Sequence, residues 1–240
     1  MSSGQDDAVG PGPENDTRGK IVIAGTGRAG TTLLVQVLTD LGLDTGFERS
    51  APIDPKVNAG LERSPVGPSA PWIVKSPQLS RTLGRLLDDG VVRVDHVIIP
   101  IRDLDVAAAS RVRNTHYGSD LHTWGGLLGT NRATRQQDAL ALMLADLLFA
   151  IVRHDIDHTL LLFPRFTADF AYTYEKLSFL APEISSQQWK VALAARVNPT
   201  LIHERPLSRS EQRLTVLGTA YNRGIARQIR GLRKLARRGA

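Results

Sequence analysis

Short apolar runs alternate along the chain with longer stretches in which apolar residues recur every three or four positions. The short runs have the length and composition of strands, and they are Ile21–Ala24, Trp72–Lys75, His96–Arg102 and Thr159–Phe163. The longer stretches have helical spacing, and they are Thr31–Leu41, Gln78–Leu87, Leu104–Val112 and Arg132–Arg153, with further helical segments after the fourth strand. Strands that alternate with helices predict an α/β fold, a parallel β-sheet flanked by helices.

The longest apolar run is Ala139 to Val152, and it contains Asp146. It is too short to cross a bilayer, for which about 20 residues are needed. It therefore predicts a buried core helix. Two stretches without clear periodicity, Gly46 to Pro71 and Thr115 to Thr130, predict loops that shape a substrate pocket, the first of them as a lid.

Composition, the polar N-terminal segment and a capping box near the C-terminus predict one domain between two extensions. The chain has 240 residues, of which 42% are hydrophobic and 22% are charged, as in an ordinary soluble domain. Residues 1–19 are polar and lack the apolar centre of a signal peptide, so we expect a disordered leader. The α/β domain is expected over 20–207, and residues 208–240 open with an S-x-x-E capping box and continue as a basic amphipathic helix with an apolar stripe.

The sequence contains no cysteine. This excludes disulfides, thiolate metal sites and a cysteine nucleophile, and it fits a reducing compartment. Together with the expected absence of a signal peptide, it leads us to expect a cytoplasmic location.

The net charge of +6 is concentrated at the end of the chain. Seven cations follow residue 222 with no acidic residue among them, so the remainder carries 30 − 7 = 23 basic against 24 acidic residues. The tail has no aromatic residue for base stacking, so nucleic acid is not an expected partner. A helix packed on the domain, pairing with a second subunit as a homodimer, and peripheral contact with an anionic membrane all remain open.

The stretch from Ile21 to Leu34, IVIAGTGRAGTTLL, resembles the outline of a nucleotide-binding phosphate loop. Gly25 and Gly30 stand at the spacing of G-x-x-x-x-G-K-[ST], but Thr31 occupies the position of the lysine that reaches the β and γ phosphates. The nearest cation is Arg28. A glycine turn opening a helix offers backbone N–H groups to a phosphate, yet this one lacks the charge that a triphosphate requires.

Within this stretch, Arg28-Ala29-Gly30-Thr31-Thr32 resembles the 5′-phosphosulfate loop of sulfotransferases that use 3′-phosphoadenosine 5′-phosphosulfate (PAPS). In that family a basic residue precedes a small residue and G-T-T. The resemblance implies that this loop, with Gly27 before it, holds a donor with a single 5′-phosphate. It also implies the P-loop sulfotransferase fold and transfer of a sulfuryl group to a hydroxyl or amine of a small-molecule, glycan or lipid acceptor, without a metal.

Two further positions match the family. Its members hold the donor's 3′-phosphate with an arginine at the end of a later strand and a serine eight residues on, and Arg102 and Ser110 have that separation. In cytosolic members a strand ends in K-T-H, whose lysine holds the sulfuryl oxygens; here the corresponding residues are Lys75-Ser76-Pro77, so the lysine is present and the histidine base is not. The basic R-K-G loop near the C-terminus of those members has no clear counterpart.

The general base must then be another residue. Candidates are Glu48, in the position where some bacterial sulfotransferases place a carboxylate, His116 and Glu62, and Glu48 ranks first among them. The resemblance assigns Arg28 to the bridging oxygen and Lys75 to the sulfuryl group.

Two other classes fit parts of the pattern. A P-loop kinase or related nucleoside-triphosphate enzyme would keep the glycines and could use Asp103 or Asp105 for magnesium, although it lacks the lysine. A nucleotide-binding module without catalysis would need the loop alone.

Overall fold

The structure, a computed structural model, describes residues 18–53, 60–114 and 133–202. These residues form an α/β fold with a four-stranded, all-parallel sheet flanked by helices, which confirms the predicted fold class at that level. Residues 1–17 of the predicted leader, the whole loop from Thr115 to Thr130, and the basic segment 208–240 lie outside the described residues.

The strands have the sheet order β2-β1-β3-β4, and each neighbouring pair is parallel. They are β1 (Lys20–Ile23), β2 (Ile73–Lys75), β3 (Val94–Ile101) and β4 (Asp157–Leu162). Their bounds lie within two residues of the predicted ones. Because β1 is central and all strands run the same way, the carboxyl ends of β1, β2 and β3 meet at one edge of the sheet.

The helices of the described residues follow the predicted order. They are α1 (Thr31–Asp40), α2 (Leu79–Asp88), α3 (Leu104–Asn114), α4 (Ala133–Arg153), α5 (Arg165–Ala168), α6 (Phe170–Leu177) and α7 (Ser186–Arg196), with short 3₁₀ helices at Ser178–Leu180 and Pro199–Leu201. A capping box at Ser185 and Gln188 starts α7.

Helices cover both faces of the sheet. On one face, Leu34 and Leu38 of α1 pack with Ile23 of β1 and Trp189 of α7. On the other, residues of α2 and α4 pack against Val22, Val74 and Val97. The unalternated apolar residues of β1 and β3 therefore serve two cores, as expected for a sheet buried on both sides.

Helix α4 differs from the expectation of a buried core helix. Leu140 and Leu147 are buried against the layer below, but Leu142, Phe149 and Val152 are 63%, 68% and 76% exposed. The apolar run alternates between a covered side and an open side because α4 packs on α2 and α3 and no described element lies over its outer face.

Within the described part of the chain, no helix combines the length and apolar character that a membrane span requires.

Candidate anion-binding site

The glycine loop between β1 and α1 lies at the edge of the sheet where the strands end. Gly25 is fixed by Ser80 of α2, whose hydroxyl accepts from the Gly25 N–H at 2.8 Å and donates to the Gly25 carbonyl at 2.9 Å. Ser80 is buried, so this double contact joins the start of the loop to the neighbouring helix inside the protein. The loop is thereby anchored at its first glycine.

Gly30 is required by both conformation and packing. Its φ of 78° lies in the left-handed region, and it precedes the first residue of α1. A Cβ added there would lie 2.6 Å from Cζ of Phe166 and 2.9 Å from Cδ2 of Phe163. No side chain caps α1, so the N–H groups of its first turn, at Thr31 and Thr32, point toward the loop with the positive end of the helix dipole.

Arg28, Arg102 and Ser110 come together at this loop. Arg102 donates from Nη1 to the Arg28 carbonyl at 3.0 Å, and the Arg28 guanidinium donates from Nε to the Ser110 hydroxyl at 3.2 Å. Arg102 and Ser110 are both buried, and the Arg102 guanidinium lies 4.9 Å from the centre of the Phe163 ring. The two positions predicted for the 3′-phosphate thus adjoin the residue predicted for the bridging oxygen.

Arg111 is a third guanidinium at the loop, and the sequence analysis did not identify it. Its Nη2 donates to the Thr26 carbonyl at 2.6 Å, and its buried Nε has no hydrogen-bond partner among the described residues. A Cβ on Gly27 would lie 2.8 Å from the same Nη2. The one sequence signal was its place on α3 directly after Ser110.

Lys75 ends β2 and is buried beneath the loop. Its ammonium is 3.4 Å from the Thr32 hydroxyl, 2.7 Å from the Gly60 carbonyl and 3.4 Å from Oε1 of Glu62. An ammonium has three N–H donors, so these partners occupy its full capacity.

Burial lowers the pKa values of the cations, and neighbouring positive charges add to the shift for Arg28 and Lys75. Burial, with the neighbouring charges of Arg111 and Arg102, lowers the pKa of Arg28 to about 10. Burial lowers the pKa of Lys75, although Glu62 opposes that shift, and burial likewise lowers the pKa of Arg111. An anion placed among these groups would relieve both the desolvation and the repulsion.

These residues line a pocket of about 690 Å³. Ligand pockets in proteins measure roughly 300–1,000 Å³, so this one has room for a nucleotide. The end of α7 and the residues after it, Val197, Asn198 and Pro199, also line the pocket. Pro77, where cytosolic sulfotransferases have their histidine, also lines the pocket.

The three candidate bases fall in different places. Glu62 lines the pocket beside Lys75, with 47% of its side chain exposed. Glu48 is exposed and is not among the lining residues, and His116 lies outside the described residues. Asp103 and Asp105, the carboxylates that a magnesium-dependent enzyme would need, are exposed and do not line the pocket either.

Across the described ranges, no cluster of three or more His, Cys, Asp or Glu side chains has the arrangement of a metal site. Comparison of the chain with protein-family models, curated proteins and solved structures finds no match.

Proposed function

We propose that the chain is a PAPS-dependent sulfotransferase with the P-loop sulfotransferase fold. The observation that carries the proposal is the convergence of Arg28, Arg102, Arg111 and Lys75 on a glycine loop that opens α1. Thr31 replaces the lysine of a triphosphate loop. Apart from Arg28 in the loop itself, the cations come from three other elements, at the ends of β2 and β3 and in α3. Such a site suits a ligand with several separate anionic groups rather than one triphosphate chain.

The roles are those that the family resemblance implies, and the proximity of the residues supports them. The N–H groups of Thr31 and Thr32 and the Arg28 guanidinium would bind the 5′-phosphosulfate, with Arg28 at the bridging oxygen. Lys75, beside the Thr32 hydroxyl, would hold the sulfuryl oxygens. Arg102 and Ser110 would bind the 3′-phosphate, for which a guanidinium offers two parallel donors. Side chains of these types in this arrangement fit a bisphosphorylated nucleotide.

The chemistry is a single in-line displacement. The acceptor oxygen or nitrogen forms a bond to sulfur while the bond from sulfur to the 5′-phosphate oxygen breaks, and that oxygen leaves with adenosine 3′,5′-bisphosphate. The acceptor's proton passes to a carboxylate, for which Glu62 replaces Glu48 as the first candidate because it lines the pocket next to Lys75. Negative charge grows on the bridging and sulfuryl oxygens, where preorganised cations lower the barrier.

Calorimetry tests the donor assignment. Binding of adenosine 3′,5′-bisphosphate should exceed that of AMP and ATP by about tenfold or more, because only the bisphosphate supplies an anion to both groups of residues. Equal affinity for ATP together with ATP hydrolysis would favour a kinase-like enzyme instead.

Turnover separates catalysis from binding alone. With PAPS and a panel of phenol, amine and sugar acceptors, the wild-type chain should release adenosine 3′,5′-bisphosphate. Glu62→Gln should slow this release at saturating donor while leaving the affinity for adenosine 3′,5′-bisphosphate, which has no sulfuryl group, unchanged. Tight binding without release on any acceptor would indicate a nucleotide-binding module.

A further inference from the structure

The outer face of α4 is open and largely apolar between positions 141 and 152, where Asp146 is the one charged residue among the exposed positions. Its exposed residues include positions 141, 145, 148 and 152, spaced four, three and four residues apart as in a coiled-coil seam, with Leu142 and Phe149 beside them. The opposite side of the helix is fully engaged with α2 and α3. A surface helix normally turns a charged face to water, so this seam has the character of an interface.

The seam has small side chains at positions 141 and 145 and larger ones toward its C-terminal end. Ala141 and Ala145 have side chains that allow close helix approach, whereas Phe149 and Val152 project farther. Counting outward from Ala145 pairs position 141 with 149 and position 142 with 148, so that Phe149 meets an alanine and Leu142 meets a leucine. The face is therefore complementary to itself when it is reversed.

Charges at the ends of the seam follow the same symmetry. Arg135 and Asp155 each stand ten residues from Ala145 on opposite sides, and both are exposed. Asp138 and Arg153 stand seven and eight residues away, although Arg153 also contacts Asp88 of its own chain at 3.2 Å. A reversed copy would bring Arg135 toward Asp155, which follows the end of α4, and would place Asp138 opposite Val152 with Arg153 one residue farther on, whereas a parallel copy would place each charge against its like.

We propose that a second copy of this chain covers the face, with the two α4 helices packed antiparallel about a twofold axis at Ala145. The contact is isologous, since each residue before Ala145 meets its counterpart after it on the other copy. No described residue of α4 lines the nucleotide pocket, so the pocket of each copy remains accessible in the dimer.

Sedimentation of the full chain tests the proposal. The wild type should be a dimer at micromolar concentration, and Phe149→Glu should raise the dimer dissociation constant by about a hundredfold, because it places a charge in the desolvated contact opposite position 141 of the other copy. Val191→Glu is the matched control, since Val191 is 58% exposed on α7, away from α4, and this variant should stay dimeric. A monomeric wild type, as when the segment after residue 202 covers the face, would overturn the proposal.

Cross-linking tests the axis independently of any destabilisation. The chain contains no cysteine, so Ala145→Cys introduces one thiol, which on the axis would face its own copy and form an intermolecular disulfide under mild oxidation. Val191→Cys should stay uncross-linked. Asp138→Cys should link to Val152→Cys in a mixture and not to itself; self-linking of Asp138→Cys together with failure of Ala145→Cys would refute the antiparallel arrangement.

Discussion

Arg28 is held in a state that is costly for an isolated residue. Its φ of 57° is in the left-handed region, which costs a non-glycine residue about 1–2 kcal/mol, and its guanidinium is buried among other cations. The Ser110 hydroxyl and the Arg102 guanidinium meet Arg28 at its side chain and its carbonyl, respectively. Strain and unbalanced charge of this kind persist at functional sites, where a ligand offsets them.

The charge of Arg111 should contribute directly to donor affinity. Arg111→Gln keeps an N–H donor for the Thr26 carbonyl but removes the cation, so we expect adenosine 3′,5′-bisphosphate to bind about ten- to a hundredfold more weakly by calorimetry. Arg111→Lys should lose less of this affinity, because it keeps the positive charge. Arg81→Gln, an exposed arginine on α2, serves as the control, and an unchanged affinity in Arg111→Gln would mean that Arg111 only holds the loop.

The free-energy cost of a side chain at Gly30 should have two separable parts, one from packing and one from backbone conformation. Gly30 and Gly42 both have positive φ, but a Cβ on Gly42 would meet nothing within 4 Å, whereas one on Gly30 would enter the Phe163 and Phe166 rings. Gly42→Ala should therefore lower the free energy of unfolding by about 1–2 kcal/mol, and Gly30→Ala by about 2–5 kcal/mol. Chemical denaturation measures both, and equal losses would show that the rings move aside freely.

The charge state of Lys75 should give activity and stability opposite slopes at alkaline pH. Burial holds the pKa of Lys75 below its usual 10.5, so between the two values the unfolded chain binds more protons, and stability rises with pH. Sulfuryl transfer should fall over the same window, because a neutral amine no longer attracts the sulfuryl oxygens. Lys75→Arg should shift the fall in a pH–rate profile to higher pH, and a profile unchanged by this variant would assign the fall to another group.

At the scale of elements, a paired charge ties α1 to α7. Arg196 donates from Nε and Nη2 to the two carboxylate oxygens of Asp40, each at 2.6 Å, and this contact raises the pKa of Arg196. Arg196 and the residues just after it line the pocket. The pair therefore ties this part of the pocket lining to α1, the helix that follows the glycine loop.

Asp40→Asn should loosen that connection. We expect it to lower the free energy of unfolding by about 1–3 kcal/mol and to raise KM for the donor more than it changes kcat, because Asp40 itself does not line the pocket. Arg93→Ala removes one partner of an exposed pair whose arginine side chain is 73% exposed, and it should change stability by less than about 1 kcal/mol. Similar losses in the two variants would contradict the role given to Asp40.

The sequence predicted the elements far better than their surroundings. Strand and helix bounds followed from local apolar periodicity and glycine turns, and Arg102 was placed because it directly follows β3. Arg111 could not be distinguished, since a lone helical arginine has no pattern and its reach to Thr26 depends on how α3 packs. The choice between Glu48 and Glu62 depended on the course of a loop, which periodicity does not describe.

At the scale of the whole molecule, local charge matters more than net charge. The chain outside its tail is nearly neutral, yet its pocket is lined by four guanidinium groups, one of them paired with Asp40, and by an ammonium with one carboxylate. Anions in solution should therefore act on this region specifically rather than on the protein in general.

Sulfate should stabilise the protein by occupying the pocket. At matched ionic strength, we expect sulfate to raise the thermal midpoint more than chloride does, because an ion bound to the folded state alone stabilises it by mass action. Sulfate also stabilises folded proteins in general, because it is excluded from their surface. The comparison is therefore with Arg28→Ala, in which only this general rise of the thermal midpoint should remain. If sulfate raised the thermal midpoint of Arg28→Ala by the same amount, the bound ion would lie elsewhere.

The three hydrogen bonds of Lys75 have a consequence for the order of events. A sulfuryl group can reach the ammonium only by taking the place of the Gly60 carbonyl or the Glu62 carboxylate, which hold it at 2.7 and 3.4 Å. Under the proposed function, a sulfuryl group that takes the place of the longer contact would release Glu62, the carboxylate proposed to accept the proton, at the moment it is needed. Before the donor arrives, the same carboxylate is engaged with Lys75, so the acceptor meets an available base only after the sulfuryl group is in place.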